Sequence, residues 1–240
     1  MQKIQLYFSI DKPCIAYHDH TDKKSSYSIL KRLRDGEDVA LISDAGTPLI
    51  SDPGYRLVSE ARQQGYSVIP IPGASAVIAA LSVSGLPTDK FKFMGFLPAK
   101  STQRKTSLSA VKGNTETMVY YEAPHRITDT IADMLDIFGA DRPAFMAREI
   151  SKTFETYLQG SLAELLDLVR ADSNQQRGEM VLVIGGAATE TETVSVDAEK
   201  ILGLLLKELP LTKAASLTAK ITGGDKKQLY QLGLVIQDKN

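Results

Sequence analysis

Two α/β domains followed by a small helical bundle is the fold class this sequence predicts, and three observations predict it. Between residues 39 and 184, short apolar runs alternate with glycine-rich turns and amphipathic stretches, the rhythm of helices layered over a largely parallel sheet. Between residues 86 and 100, prolines bracket a short aromatic run and mark a boundary inside that rhythm. After residue 187 the rhythm stops, and a small polar run gives way to three helical stretches. The expected domains are 1–86, 87–187 and 195–240.

The elements follow in order. Val39 to Ser43 reads VALIS, an apolar run after the Gly36 breaker and before a Gly/Pro/Asp-rich stretch, as a buried strand entering a loop should look. A helix starts near Gly54 and stops at Gly65; Ser67 to Ile71 is the next strand. Pro72-Gly73 then turns the chain into the alanine-rich helical run ASAVIAALSVS, closed by Gly85-Leu86-Pro87. In the second domain the strand candidates are Phe91–Phe96, Thr117–Tyr121, Ala144–Arg148 and Met180–Ile184, with helices over Ile127–Phe138 and Leu162–Val169. AATETETV, from Ala187 to Val194, reads as a linker. In the tail, Ile201, Leu204, Leu205 and Leu209 have helical spacing, Thr212 can cap a second helix, Gly223-Gly224 break it, and Asp225 can cap a third.

Composition narrows the function classes. With 240 residues, 43% hydrophobic and 24% charged, the chain can build a core without staples. One cysteine, Cys14, excludes an intramolecular disulfide framework. No apolar run approaches the ~20 residues of a membrane span and no signal-peptide core opens the chain, so a cytoplasmic protein is expected. The 28 basic and 29 acidic side chains nearly cancel, and any nucleic-acid contact must use local patches. Three histidines and one cysteine are too few for a dedicated zinc site. His18 and His20 are therefore read as loop or cleft residues, and no metal is expected.

Four segments carry chemistry. SDAGTPLISDPG, from Ser43 to Gly54, follows a strand and packs two glycines, two prolines and two aspartates into twelve residues. Such a loop presents its backbone groups at the carboxyl end of a sheet, the usual ligand side. It matches neither GxxxxGK[ST] nor GxGxxG. An isolated loop of this kind is ordinarily a capped turn; the repetition of SD-G within it argues for more. PIPGAS, from Pro70 to Ser75, adds a glycine, a hydroxyl and a helix N-terminus, and alone reads as any strand-to-helix turn. YYEAPHR sets Glu122, His125 and Arg126 beyond a strand, and AREISKTFE sets Arg148, Glu149, Lys152 and Glu155 beyond another. Charges at strand ends usually solvate an edge, but two such clusters on one sheet can face one cleft.

Taken together and in this order, SDAGTPLISDPG, PGASAVIAALSVSGLPTDKFKFMGFLP, YYEAPHR, AREISKTFE and RGEMVLVI resemble the ribosomal RNA small subunit methyltransferase I family, within the tetrapyrrole-methylase-like class (class III methyltransferases). The resemblance implies two α/β domains of the tetrapyrrole methylase type with S-adenosylmethionine bound between them, a homodimer, and 2′-O-methylation of a cytidine ribose in the decoding region of 16S ribosomal RNA. By the same resemblance Asp44, Ala45, Gly46, Thr47 and Pro48 border the methyl donor, Ser75 and Ala76 touch its methionine part, and Tyr121 and Glu122 flank its adenosine. Lys152 or Glu149 is expected to meet the ribose hydroxyl and help remove its proton. Arg126 and Arg148 are expected to hold RNA phosphates, because guanidinium binds phosphate bidentately. In the tail, Lys213, Lys220, Lys226 and Lys227 offer a modest basic face, with Lys226 and Lys227 assigned to the RNA of the small ribosomal subunit. That face reads equally as a solvated docking bundle.

The family pattern also contains a first strand with a TPIGNLxDIT loop, a helix and an AEDTR segment, which have no counterpart here. The first sheet is accordingly expected to carry a gap or a substitute partner beside Val39–Ser43, with exposed edges. Two other readings fit the same residues: a tetrapyrrole or protein side-chain methylase of the same fold, and a non-catalytic RNA-binding or ribosome-assembly module.

Overall fold

The computed structural model describes residues 7, 9–18, 23–188 and 196–238. The chain divides into two units, Met1–Ala187 and Ala188–Asn240. The division expected at 86/87 falls inside the first unit, and most of the expected linker 187–194, like His20, lies outside the described residues.

The first unit opens with α1 (Lys23–Arg34), α2 (Tyr55–Gln63) and α3 (Ala76–Val83). Five strands follow: β1 (Phe91–Phe96), β2 (Thr117–Glu122), β3 (Pro143–Arg148), β4 (Thr156–Ser161) and β5 (Met180–Ile184). Between them lie α4 (Ser101–Ser109), α5 (Ile127–Phe138) and α6 (Leu162–Ala171), with single 3₁₀ turns at Pro124–Arg126 and Ser173–Gln176. The strands form one sheet in the order β1-β2-β5-β3-β4. Only β1 and β2 pair in parallel; the other three neighbouring pairs are antiparallel, which corrects the expected largely parallel sheet. The reason is connectivity. The loop from β3 to β4 is too short for a crossover, and β5 runs back between β2 and β3, which point the same way.

The three central strands are buried nearly throughout, as strands covered on both faces should be. On one face Met118, Tyr120, Met146, Leu182 and Ile184 pack with α4, α5 and α6. On the other, Val119, Phe145, Ala147, Val181 and Val183 pack against Val77, Ala80 and Leu81 of α3. Helices α1 and α2 share a small core of Ile29, Leu30, Leu57 and Ala61. The expected strands at 39–43 and 67–71 are not strands: both segments run without a ladder, and Ile69 and Ile71 are 74% and 86% exposed. Neither segment pairs with a described strand that would supply the missing backbone partners.

The second unit is three helices, α7 (Val196–Leu205), α8 (Leu211–Thr222) and α9 (Lys226–Asp238), around Ala198, Leu202, Ala214, Ala215 and Leu229. Gly233 packs directly against Leu211. Asp225 caps α9 as expected, its carboxylate accepting the Gln228 amide at 2.9 Å. Thr212 does not cap α8; Pro210 holds that position. No described helix is long and apolar enough to cross a membrane.

Candidate functional site

The loop from residue 44 to residue 54 has an unusual backbone. Gly46, Leu49, Ser51 and Gly54 all sit at positive φ, at 69°, 73°, 62° and 136°. Left-handed backbone at a leucine and a serine costs each ~1–2 kcal/mol, and such conformations gather where a site dictates geometry. Gly54 is required by space as well: a Cβ there would stand 2.8 Å from Leu41 and 2.9 Å from Leu49.

This loop meets the next. The Thr47 hydroxyl donates to the Ala74 carbonyl at 3.1 Å, joining the 44–54 loop to the turn that enters α3. Ala45, Gly46, Thr47, Gly73 and Ala74 are all exposed, and a Cβ built on Gly46 would meet nothing within 4 Å. The Ser43 hydroxyl donates to the Ala45 and Gly46 carbonyls at 2.9 and 3.3 Å, and the small side chains leave the backbone of both turns accessible, as suits the polar ends of a small ligand. Ser75 stands at the N-cap of α3 without a side-chain capping bond.

Tyr121, at the end of β2, closes the third side. Its hydroxyl lies near the Val77 amide in the first turn of α3 and near Asp52. Burial pushes the phenol pKa up and the Asp52 charge adds to this, while the Val77 amide pulls it back. Phe93 meets the Tyr121 ring edge-on with centroids 4.9 Å apart, and Phe96 lies at 5.6 Å. A bulge in β1 sets Gly95 against Ser51. The structure therefore brings together the loop carrying Asp44, Ala45, Gly46, Thr47 and Pro48, the turn carrying Ser75 and Ala76, and Tyr121.

Glu122 and Arg126 have another task than the sequence assigned. Strand alternation turns Glu122 to the opposite face from Tyr121, where its side chain is 0% exposed. Its carboxylate accepts from the Ala123 amide at 2.7 Å, the Thr130 hydroxyl at 2.6 Å and Arg126 Nε at 2.8 Å. Arg126 also donates to the Leu97 carbonyl at 3.0 Å. Glu122 is turned into the core with its carboxylate engaged, away from any ligand on the Tyr121 face, and Arg126 spends Nε and Nη2 on Glu122 and Leu97. They lock β2 to α5 and to the end of β1. The spacing Glu122, Arg126, Thr130 was a legible sign of such a cluster.

Because β2 and β3 point the same way, YYEAPHR and AREISKTFE do emerge at one end of the sheet. The second cluster forms a braced loop. Glu149 and Ser151 again hold positive φ, so of the five non-glycine residues at positive φ among those described, four lie in the 44–54 and 149–155 loops. The Glu149 carboxylate accepts from Lys152 Nζ at 2.7 Å and from the Glu179 amide at 2.8 Å. Lys152 Nζ also pairs with Glu179 at 3.1 Å. Gly178 permits this: any Cβ there would collide with the Glu149 carboxyl at 2.5 Å.

Neither residue is set up as the expected base. Its bond to Glu149 raises the pKa of Lys152, which holds its proton, and bonds from Lys152 and the Glu179 amide lower that of Glu149, which weakens it as an acceptor. Arg148 is 7% exposed and cannot meet RNA. Its guanidinium donates to the Phe154 carbonyl and the Thr156 hydroxyl, both at 3.0 Å, and to the Arg177 carbonyl at 3.4 Å. Its buried Nε has no partner among the described residues, which costs about 1–3 kcal/mol. Asp52, Phe154, Arg177 and Gly178 were not singled out from sequence; the second SD of the 44–54 loop was a signal for Asp52.

In the second unit Lys226 and Lys227 are exposed in the first turn of α9. The helix dipole disfavours cations there, and Asp225 partly offsets them. Among the described residues no group of three or more potential metal ligands stands together.

A family profile described as Tetrapyrrole (Corrin/Porphyrin) Methylases matches residues 5–166, and one described as RsmI C-terminal HTH domain matches residues 192–237. A protein of Pseudomonas aeruginosa named ribosomal RNA small subunit methyltransferase I is 52% identical over 98% of this chain and 84% of its own length. Proteins of the same name from Vibrio cholerae and Escherichia coli O157:H7 are 47% and 44% identical over 97% and 95% of this chain, covering 81% and 80% of theirs. Among solved structures, the methyltransferase CobJ superposes with a TM-score of 0.55 at 16% identity, over 76% of this chain and 81% of its own. The cobalt precorrin-4 methyltransferase CbiF gives 0.52 at 16% identity, over 75% and 79%.

Proposed function

From the premise that this chain belongs to the tetrapyrrole methylase family, and within it to the ribosomal RNA small subunit methyltransferase I group, we propose that it transfers a methyl group from S-adenosylmethionine to small-subunit ribosomal RNA, at the 2′-oxygen of a cytidine ribose. The observation that carries the proposal is the joining of the Thr47 and Ala74 turns at 3.1 Å, with the Tyr121 hydroxyl near Asp52 and Val77 of the same two segments. When bound, the donor supplies a methyl carbon made electrophilic by a positively charged sulfur. Peptide groups of Ala45, Gly46 and Ala74 would hold its polar ends, and Tyr121 with Phe93 and Phe96 would supply an aromatic wall. The exposed backbone of the two turns and the aromatic rings fit that group in polarity.

The chain's own work is alignment, since in-line displacement needs the ribose oxygen fixed behind the methyl carbon. Lys152, held as an ammonium by Glu149 and Glu179, would stabilise negative charge developing on that oxygen. Glu149 orients it. Lys226 and Lys227 would contact RNA backbone, by charge and shape rather than base sequence. A homodimer, as the family resemblance implies, and a cytoplasmic location, as the composition suggests, complete the reading, and sedimentation tests the dimer.

A second reading, an RNA-binding module without transfer, draws on the lack of a ladder at 39–43 and 67–71, the segments that lead into both turns. Calorimetry with S-adenosylmethionine separates the two. Micromolar donor binding, with tritium transfer to unmethylated small ribosomal subunits, supports the methyltransferase. Absence of donor binding at hundredfold higher concentration, with RNA binding kept, establishes the module.

A further inference from the structure

We propose that Phe154 and Arg177 form a platform for one unpaired nucleotide of the RNA, the base stacking on the Phe154 ring and the phosphate meeting the Arg177 guanidinium, with buried Arg148 as the positioning residue that sets both loops. This rests on the reading above and adds a site to it. Phe154 is 70% exposed, although the loop around it is among the most firmly braced in the molecule. An aromatic ring held in water at the tip of a strained, pinned loop keeps a face open to stacking.

The bracing comes from three directions. The Glu149 amide donates to the Glu179 carbonyl at 2.9 Å while the Glu149 carboxylate takes the Glu179 amide, tying the 149–155 loop to the segment before β5. Glu155 accepts the Ser151 amide within the loop. Arg148 then holds the carbonyls of Phe154 and Arg177, one from each loop, on a single guanidinium. Those bonds use the backbone of Phe154 and Arg177 and leave their side chains to solvent, where both are exposed. A planar π surface and a cation, carried on two loops that one guanidinium ties together, are the groups that single-stranded RNA binding employs, and they tolerate any base. The platform stands at the same end of the sheet as Tyr121: β2 and β3 are two strand spacings apart, about 10 Å.

The test measures dissociation constants for a labelled unpaired RNA 12-mer and for a duplex of the same length, at fixed salt. Phe154→Ala should weaken the single strand by about ten- to a hundredfold, the range that alanine substitution of a stacking aromatic gives, and Phe154→Trp should restore it. Arg177→Ala should lower the slope of log affinity against log salt by about one. Arg148→Lys should lose single-strand affinity in the unaltered chain and none further in Phe154→Ala, whatever it does to the melting temperature. Unchanged binding in Phe154→Ala, no binding by the unaltered chain, or equal losses for the duplex would overturn the platform. Calorimetry with S-adenosylmethionine on the same proteins keeps the two readings apart: donor binding with Phe154-independent RNA affinity defeats the platform alone, and Phe154-dependent RNA affinity without donor binding defeats methyl transfer alone.

Discussion

Val181 and Val183 in β5 are buried at 4% and 0% exposure, whereas Ile69 and Ile71, on a run just as β-branched, stand in water. The difference between the two regions is partnership. β5 enters a slot where β2 and β3 offer backbone groups on both sides, and the 67–71 run finds none among the described residues. An alternating or apolar run states a need for neighbours, and becomes a strand only when another segment meets it. In the sheet region, side chains and backbone hold each other; in the region of the turns, a few specific bonds such as Thr47 to Ala74 hold the chain. Substitutions in the first should register as stability, and in the second as ligand affinity.

The sharpest test removes one partner of the sheet-end cluster. Arg126→Ala leaves the Glu122 carboxylate buried without its cation, and urea unfolding should show a loss of about 3–5 kcal/mol. A loss under 1 kcal/mol would place that cluster in solvent. Next, Leu182→Ala should cost about 2–5 kcal/mol, while Ile71→Ala should change stability by less than about 0.5 kcal/mol; equal costs would erase the contrast between the regions. Lys152→Met should lower the turnover of methyl transfer by about 10²–10³, on the scale of removing one charge-stabilising group, with little change in melting temperature. Thr47→Val, which loses a single bond between two turns, should weaken donor binding about fivefold, equivalent to ~1 kcal/mol, and leave the urea midpoint in place.

The smallest effect is the response of the 149–155 loop to pH. Glu149 titrates below its ordinary 4.5 because Lys152 and the Glu179 amide favour the carboxylate. A depressed acid contributes stability that is complete above its unfolded value and fades as pH falls through the folded one. Lys152, raised above 10.5, keeps its contribution at all lower pH. Proteolytic cutting at Phe154 should therefore be flat from pH 7 down to 5 and increase only below 4.5. An increase already at pH 6 would show that the pair does not hold the loop.

Much of the second half of the first unit was legible because β2, β3 and β5 are buried on both faces and read as continuous apolar runs; with β1, α5 and α6 they stand where the sequence pattern put them. β4 was not seen. Its sequence, TYLQGS, is an exposed edge whose pairing with β3 is made by backbone, and the preceding charges drew attention instead. The direction of β5 was hidden for another reason, since strand order depends on contacts distant in sequence. At the site, the turns were legible from glycine and aspartate spacing, because backbone geometry demands those residues. The roles of Glu122 and Arg148 were not, because a charged residue one position along a strand points to the other face, and burial decides whether its charge meets solvent or a carbonyl.

The position of β5 in the middle of the sheet has a consequence for synthesis. Residues 180–184 are made last among the strands yet fill the central slot. At roughly 5–20 residues per second, β2 and β3 wait several seconds on the translating ribosome with their facing edges unsatisfied, and a nascent chain stopped short of Met180 exposes two open edges to any passing strand.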